Sequence, residues 1–249
     1  MSLSDQFLRE GNGGRDFAST HWSAVLLAGS ENSPRSAAAL EALCRAYWYP
    51  LYSFTRRQGY DPHAAADLTQ DFFSHLLETN ALASVDRGKG RFRSFLLASL
   101  KNLLANEWNR ARRQKRGGGA KLFSLDEEAA EGRYRLDPPD NSTPDRIFER
   151  LWAETILSRA LERLRAECDG AEKTRRFDEV KVFLTGDKAG DSLAAAAARL
   201  DLSLAAVKGL VHRLRRRFGE LIRDEIAQTV TSPEEVEQEI RDLFAAFGG

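Results

Sequence analysis

Apolar residues recur at spacings of three and four along most of the chain, which is the repeat of an α-helix with one buried side. One clear stretch is LAAVKGLVHRLRRRF at residues 204–218, and another runs from about residue 91 to residue 115. No segment alternates in the manner of a strand, so the fold class is predicted to be all-α. The apolar positions are Val207, Leu210, Val211, Leu214 and Phe218 in the first stretch, and Leu96, Leu100, Leu103 and Leu104 in the second.

Several helix starts are marked by capping residues. Asp61 followed by Pro62 is a good helix entry, because the side chain can cap the helix and proline suits its first turn. Ser192 and Ser203 each precede a short helix, and the turn between the two helices falls near Asp201. This spacing is typical of a helix-turn-helix unit.

Glycines, prolines and charge divide the chain into parts. GNGG near the N-terminus offers nothing to bury. Residues 117–145 hold a run of three glycines, three prolines and an acid cluster, which is the composition of a flexible linker. We therefore predict two helical domains joined by a flexible linker. The parts are a mobile tail (1–18), a first domain (19–116), an acidic linker (117–145), a second domain (146–227) and a C-terminal helical extension (228–249).

Charge is balanced overall but unevenly distributed. The chain has 37 basic and 37 acidic residues, so composition alone does not indicate a nucleic-acid partner. Residues 87–116 carry a net charge of +9, residues 117–145 carry −4, and residues 203–217 hold five cations, one histidine and no acid. Such blocks indicate parts with different partners.

Other classes of function find little support. Cys44 and Cys168 are isolated, which argues against a disulfide framework or a zinc site. The glycine-rich stretches RGKGRF and RGGGAK lack the Gly-Lys-Ser/Thr ending that holds nucleotide phosphates, and the histidines have no telling neighbours. No apolar run has the length of a membrane span, and the N-terminus lacks a signal-peptide core. We expect a cytoplasmic protein that is not an enzyme, with no cofactor, no metal and no membrane partner.

The stretch at residues 204–218 places cations outside its apolar side. A helix docked by that side would present the cations to the major groove, with small residues allowing close approach of the backbone. Lysine, histidine and arginine then contact phosphates or base edges, and the later arginines favour phosphates. The alternative is a solvated amphipathic helix that binds nothing. The candidate DNA-binding residues are Ser203, Lys208, Gly209, His212, Arg213 and Arg216.

Three stretches together resemble extracytoplasmic-function (ECF) sigma factors. SLAAAAARLDLSLAAVKGLVHRLRRRF looks like their region 4, while YWYPLYSFTRRQGYDPHAAADLTQDFFSHLLE and GRFRSFLLASLKNLLANEWNRARR look like their region 2. The resemblance implies a subunit of RNA polymerase that binds the core enzyme and promoter DNA. The first domain would open the minus-ten element as region 2, and the second would read the minus-thirty-five element as region 4.

The resemblance also implies sites within the first domain. The helix that follows Pro62 would grip core polymerase through an acidic and apolar surface; a solvated acidic face is the alternative. The next helix would trap exposed bases, although its two phenylalanines would instead belong to the core in a purely structural interpretation. The implied polymerase-binding residues are Asp67, Leu68, Gln70, Asp71 and Phe72. The implied minus-ten residues are Phe92, Phe95, Lys101, Asn102, Asn106, Arg110, Arg112 and Arg113.

The chain departs from the family where many members carry Asp-Ala-Glu-Asp. Here the residues are Ala64, Ala65, Ala66 and Asp67, so two carboxylates are missing. A phosphate on the nearby Thr69 would add roughly −1.5 to −2 charges. This suggests activation by a Ser/Thr kinase, the alternative being that Thr69 is an ordinary helix residue. An anti-sigma factor is another possible partner.

Two questions stay open at this level. The acidic linker could occupy the cationic polymerase cleft until RNA displaces it, or it could be a simple tether. A helix-turn-helix repressor that binds an operator without polymerase would share the second domain, but it would not need the region-2-like helices.

Overall fold

The computed structural model describes residues 34–78, 92–111, 127–137, 142–184, 192–230 and 233–247. All regular secondary structure within these ranges is helical, which confirms the all-α prediction. The predicted tail at residues 1–18 lies outside them. The helices are α1 (Pro34–Arg57), α2 (Pro62–Glu78), α3 (Phe92–Ala111), α4 (Glu127–Leu136), α5 (Pro144–Ala166), α6 (Ala171–Val180), a 3-10 turn (Lys181–Phe183), α7 (Leu193–Leu200), α8 (Leu204–Ala227) and α9 (Pro233–Ala245).

One hydrophobic core joins the two halves of the chain. Helix α5 packs against α1 on one side and against α8 on the other. Tyr47 and Leu51 of α1 and Phe148 and Trp152 of α5 are all almost fully buried in this cluster. The cluster thus contains residues from both of the domains expected from the sequence, and the two-domain arrangement stays a prediction.

A smaller core holds α6, α7 and the first half of α8 together. Ser192 caps α7 by accepting a bond from Ala195 N at 3.1 Å, and Ser203 caps α8 by accepting one from Ala206 N at 3.1 Å. Asp201 ends α7 in the left-handed conformation, with a φ of 53°. Both caps and the turn lie where the sequence predicts them. The buried members of this core are Val180, Ala196, Ala197, Leu200, Val207 and Val211.

Part of the predicted flexible linker is a helix. Residues 127–136 form α4, which packs against α1 and α2. Glu131 is 8 % exposed and is held by Arg56 and Tyr52 of α1. The flanking glycines and prolines indicate a loop, but contacts with α1 and α2 hold this segment in a helix.

The C-terminal extension forms α9 and packs back onto the protein, against α5 and α8. Val236, Ile240 and Leu243 are buried at helical spacing on its inner side. Across the part of the chain that the structure describes, no helix is long and apolar enough to cross a membrane.

Candidate nucleic-acid interface

The first half of α8 presents a cationic face to solvent. Lys208, His212, Arg213 and Arg216 are exposed, and the Ser203 hydroxyl is engaged in the N-terminal cap. Arg216 remains 67 % exposed although its Nε lies 3.9 Å from a carboxylate oxygen of Glu220. Lys208, His212 and Arg216 follow one another at intervals of four residues, and Arg213 lies three residues before Arg216, so the four cations lie on one side of the helix.

The start of α8 has little side-chain bulk. Ala205 and Ala206 are exposed, and Gly209 is half-buried. A Cβ atom at Gly209 would lie 3.5 Å from Nη1 of Arg213, an ordinary contact, so the glycine is not required for folding there. Because Gly209 has no side chain, the helix surface beside the cations is smooth. A smooth surface lets the backbone of a helix approach a DNA duplex closely.

Two further arginines of α8 are bonded to other groups of the protein instead. Arg215 donates from Nε and Nη2 to the carbonyl oxygen of Phe183, at 3.0 and 2.7 Å. Arg217 donates to both carboxylate oxygens of Glu167, at 2.8 and 2.6 Å, and to Glu220. These hydrogen bonds raise the pKa of Arg217 and lower the pKa of Glu167. In this structure Arg215 and Arg217 are thus engaged by other groups of the protein, and the expectation that the later arginines favour phosphates stays a prediction.

A sequence signal for the inward arginine was available. Arg215 follows Val211 by four residues and precedes Phe218 by three, and both of these neighbours are buried. The position therefore lies on the buried stripe of α8. Arg216, one residue further on, lies beside the exposed Lys208 face instead.

The candidate polymerase-binding residues of α2 divide by burial. Asp67 and Asp71 are exposed one turn apart, where they can meet a cationic partner. Leu68 and Gln70 are half-buried. Phe72 is 1 % exposed and belongs to the core, so it supports α2 from below.

Thr69 is fully buried. Its hydroxyl donates to the carbonyl oxygen of Ala65 at 2.7 Å, within α2. A kinase would need α2 to move away from the core before it could reach this hydroxyl. The structure therefore favours the interpretation of Thr69 as an ordinary helix residue.

The candidate minus-ten residues of α3 also divide by burial. Phe92 is buried against the Tyr47 ring, with centroids 5.6 Å apart, and it stacks on Phe95 at 6.2 Å. Phe95 is half-buried, while Asn102 and Asn106 are exposed to solvent. Phe92 thus fits the structural interpretation better than a base-trapping role.

The cations of α3 are less uniform than the sequence indicates. Lys101 forms an ion pair with Asp145 at the start of α5. The side chain of Arg110 lies outside the described residues, although its backbone is part of α3. Arg112 and Arg113 lie outside them entirely.

A buried arginine on α3, which the sequence analysis did not single out, organises this region. The Arg93 side chain is 2 % exposed and forms ion pairs with Glu149 of α5 and with Glu239 and Asp242 of α9. Its guanidinium lies 4.3 Å from the ring centre of Trp152. No local pattern identifies these partners, because they are 56 or more residues away in the chain.

Helix α4 is fixed to α1 by a second polar cluster. Glu131 accepts hydrogen bonds from Nε and Nη2 of Arg56, both at 3.0 Å, and from the Tyr52 hydroxyl at 2.7 Å. The hydrogen bonds from Arg56, opposed by burial, lower the pKa of Glu131 to about 2. Burial and the neighbouring carboxylate raise the pKa of Tyr52. The cluster thus favours the charged form of Glu131.

The described ranges hold no group of three or more histidine, cysteine, aspartate or glutamate side chains that could bind a metal ion.

Comparison with known proteins gives one match. Residues 43–114 match the model of sigma-70 region 2, a span that begins within α1 and ends just beyond α3. No curated protein and no solved structure matches the chain. The fold and the match together define a helical protein with a segment that is similar to sigma-70 region 2.

This match supports the assignment of the chain to the sigma-70 family. It also supports a role in RNA polymerase-dependent transcription initiation. It supports core RNA polymerase and promoter DNA as interaction partners in general. Sigma factors are not a family of enzymes.

Proposed function

We propose that the protein is a sigma factor of the ECF type that binds core RNA polymerase and directs promoter recognition, promoter melting and transcription initiation. The observation that carries this proposal is one chain in which a region 2 match is followed by a capped helix with an exposed cationic face. Under the proposal, residues 19–116 act as region 2, 117–145 as the linker and 146–227 as a helix-turn-helix region 4. The protein then works in the cytoplasm, where core polymerase acts on DNA.

Region 4 reads the minus-thirty-five element through the first half of α8. In this proposal the exposed Lys208 and Arg213 contact phosphates or base edges, and the exposed His212 and Arg216 flank them. Arg215 supports the helix from below through Phe183. Specificity then rests on few side chains, because Arg215 and Arg217 are bonded to other groups of the protein.

Region 2 serves two partners through two helices. On α2, the exposed Asp67 and Asp71 meet a cationic surface of polymerase. On α3, the exposed Asn102 and Asn106 hydrogen-bond an unstacked base, with Phe95 beside them as a stacking surface. The amide groups suit this role because they can both donate to and accept from a base edge.

Control by a Ser/Thr kinase at Thr69 remains a hypothesis with a structural condition. A phosphate would restore charge near the exposed Asp67 and Asp71, but Thr69 is fully buried. Activation by this route therefore requires a state in which α2 is partly displaced. Control by an anti-sigma factor is the other hypothesis.

Run-off transcription with purified core polymerase and a library of promoters tests the proposal. We expect transcripts only when the protein is added, and fewer of them with Lys208→Ala or Arg213→Ala. A protein that neither binds core polymerase nor starts any transcript would refute the proposal.

An operator-binding regulator is the alternative, since it would use α8 in the same way. It would bind a duplex specifically without polymerase and would not depend on Asp67 or Asp71. The region 2 match favours the sigma factor over this alternative.

A further inference from the structure

Two cations of α3 are engaged by carboxylates of α5. Lys101 pairs with Asp145 in the first turn of α5. Arg93 pairs with Glu149, one turn further along α5. Because residues 145 and 149 lie on the same side of a helix, α5 presents a short acidic ladder to the helix proposed to open promoter DNA.

Helix α9 adds two carboxylates to the same place. Glu239 pairs with Arg93, and a carboxylate oxygen of Asp242 lies 3.6 Å from Nη2 of Arg93. Glu239 is 7 % exposed, so this contact is shielded from water. The C-terminal extension, which is additional to regions 2 and 4, thus reaches the helix proposed to act on the minus-ten element.

The two ion-pair sites differ in strength. The Lys101 and Asp145 side chains are about half exposed, so water and salt weaken their attraction. Arg93 is buried, and a buried charge that loses a partner is strongly destabilising. The Arg93 cluster therefore contributes more than the outer pair to holding α5 and α9 against α3.

The observed arrangement cannot reach both promoter elements at once. About 25 base pairs separate the two elements, which is roughly 85 Å at about 3.4 Å per base pair. A compact chain of 249 residues has a radius of gyration of about 18 Å. Because α8 packs against α5 and α3 is joined to α5 by two ion pairs, the chain has to rearrange before α3 and α8 can bind their elements together.

From these contacts we infer that the acidic faces of α5 and α9 cover the cations of α3 in the free protein, and that they leave α3 when it engages promoter DNA. Asp145 occupies the position where a DNA phosphate would otherwise bind Lys101, a candidate minus-ten residue, and the Arg93 cluster holds α5 and α9 beside it. The C-terminal extension is thus an autoinhibitory latch on region 2. The inference rests on the proposed sigma-factor function, whereas the latch contacts themselves belong to this chain.

A single charge removal tests the latch. Glu239→Gln weakens the Arg93 cluster, and Glu237→Gln on the same helix is the matched control. Glu237 pairs with Arg223 of α8 at 3.2 Å, so the control changes the charge equally but at a different contact. The probe is a fluorescein-labelled single strand from a promoter selected by the run-off assay, added to the full-length protein without polymerase.

We expect Glu239→Gln to bind this strand about tenfold more tightly than wild type, a typical size for coupling between two states. Its α9 amides should exchange hydrogen faster, while Glu237→Gln should match wild type in DNA binding. If Glu239→Gln does not fold, Asp242→Asn replaces it, because Asp242 is only half-buried and lies at the edge of the cluster.

The outcomes separate the latch from the proposed function. Suppose that wild type supports transcription but folded Glu239→Gln binds the strand no more tightly than wild type. The latch is then wrong, and faster hydrogen exchange in α9 would show only a loss of stability. If no protein starts a transcript with core polymerase, the proposed function fails, and the inference fails with it. Tighter DNA binding by Glu239→Gln alone, with wild-type transcription intact, supports the latch.

Discussion

Replacing Glu131 by glutamine should release α4 from α1. The carboxylate accepts two hydrogen bonds from Arg56 and one from Tyr52, and it is 8 % exposed. Glutamine has a similar shape but no charge, so it cannot match the paired bonds from the guanidinium. The variant therefore tests whether this part of the predicted linker is held by one charged contact.

The size of the effect follows from the pKa. The pKa of Glu131 falls from 4.5 to about 2 in the folded protein, chiefly because of Arg56. At roughly 1.4 kcal/mol per pH unit, this corresponds to on the order of 3 kcal/mol at neutral pH. A lowered folded-state pKa gives stability that is complete above the unfolded value. That stability is lost as the pH falls from about 4.5 towards 2.

Urea unfolding followed by circular dichroism measures this contribution. We expect Glu131→Gln to lower the free energy of unfolding by about 2 to 3 kcal/mol at pH 7, with a smaller difference from wild type at pH 3. Glu128→Gln is the control, because Glu128 is exposed on the same helix. Equal unfolding midpoints for Glu131→Gln and wild type at pH 7 would refute the reasoning, as would a difference that does not shrink in acid.

Three further predictions concern the proposed interfaces. In the complex with core polymerase, Arg213→Ala should weaken binding to duplex promoter DNA and reduce the slope of log affinity against log salt by about one, whereas Arg215→Ala should lower the melting temperature without changing that slope. An unchanged slope for Arg213→Ala would argue against a phosphate contact. Asn102→Ala should leave closed complexes intact but reduce permanganate reactivity of the opened strand; normal opening would remove Asn102 from the site. The kinase hypothesis predicts tighter polymerase binding by Thr69→Asp than by Thr69→Ala, and equal affinities would exclude it.

The local features of the second half could be predicted from the sequence. Ser192 and Ser203 cap their helices, and Asp201 makes the turn between them. Each feature depends on residues within four positions of one another, so a single short segment carries the information. The exposure of Lys208 and Arg213 follows from the same helical repeat.

The packing of helices across the chain could not be predicted in this way. Helix α4 lies in a segment whose composition indicates a linker, and its order depends on Arg56, 75 residues away. Thr69 illustrates the same limit on a smaller scale, since its burial depends on how α2 packs in the core. A motif can mark a residue for modification, but only the tertiary structure decides whether an enzyme can reach it.

Arg93 shows where the boundary between these two kinds of information lies. It precedes Leu96, Leu97 and Leu100 by three, four and seven residues, which places it on the buried stripe of α3. The sequence therefore indicates that this charge is buried and requires carboxylate partners, because an unpaired buried charge is too costly. Which carboxylates serve depends on the arrangement of the helices, and in this structure α9 supplies two of them. If α9 leaves α3, Arg93 loses two of its partners, and the cost of an unpaired buried charge then favours the closed arrangement.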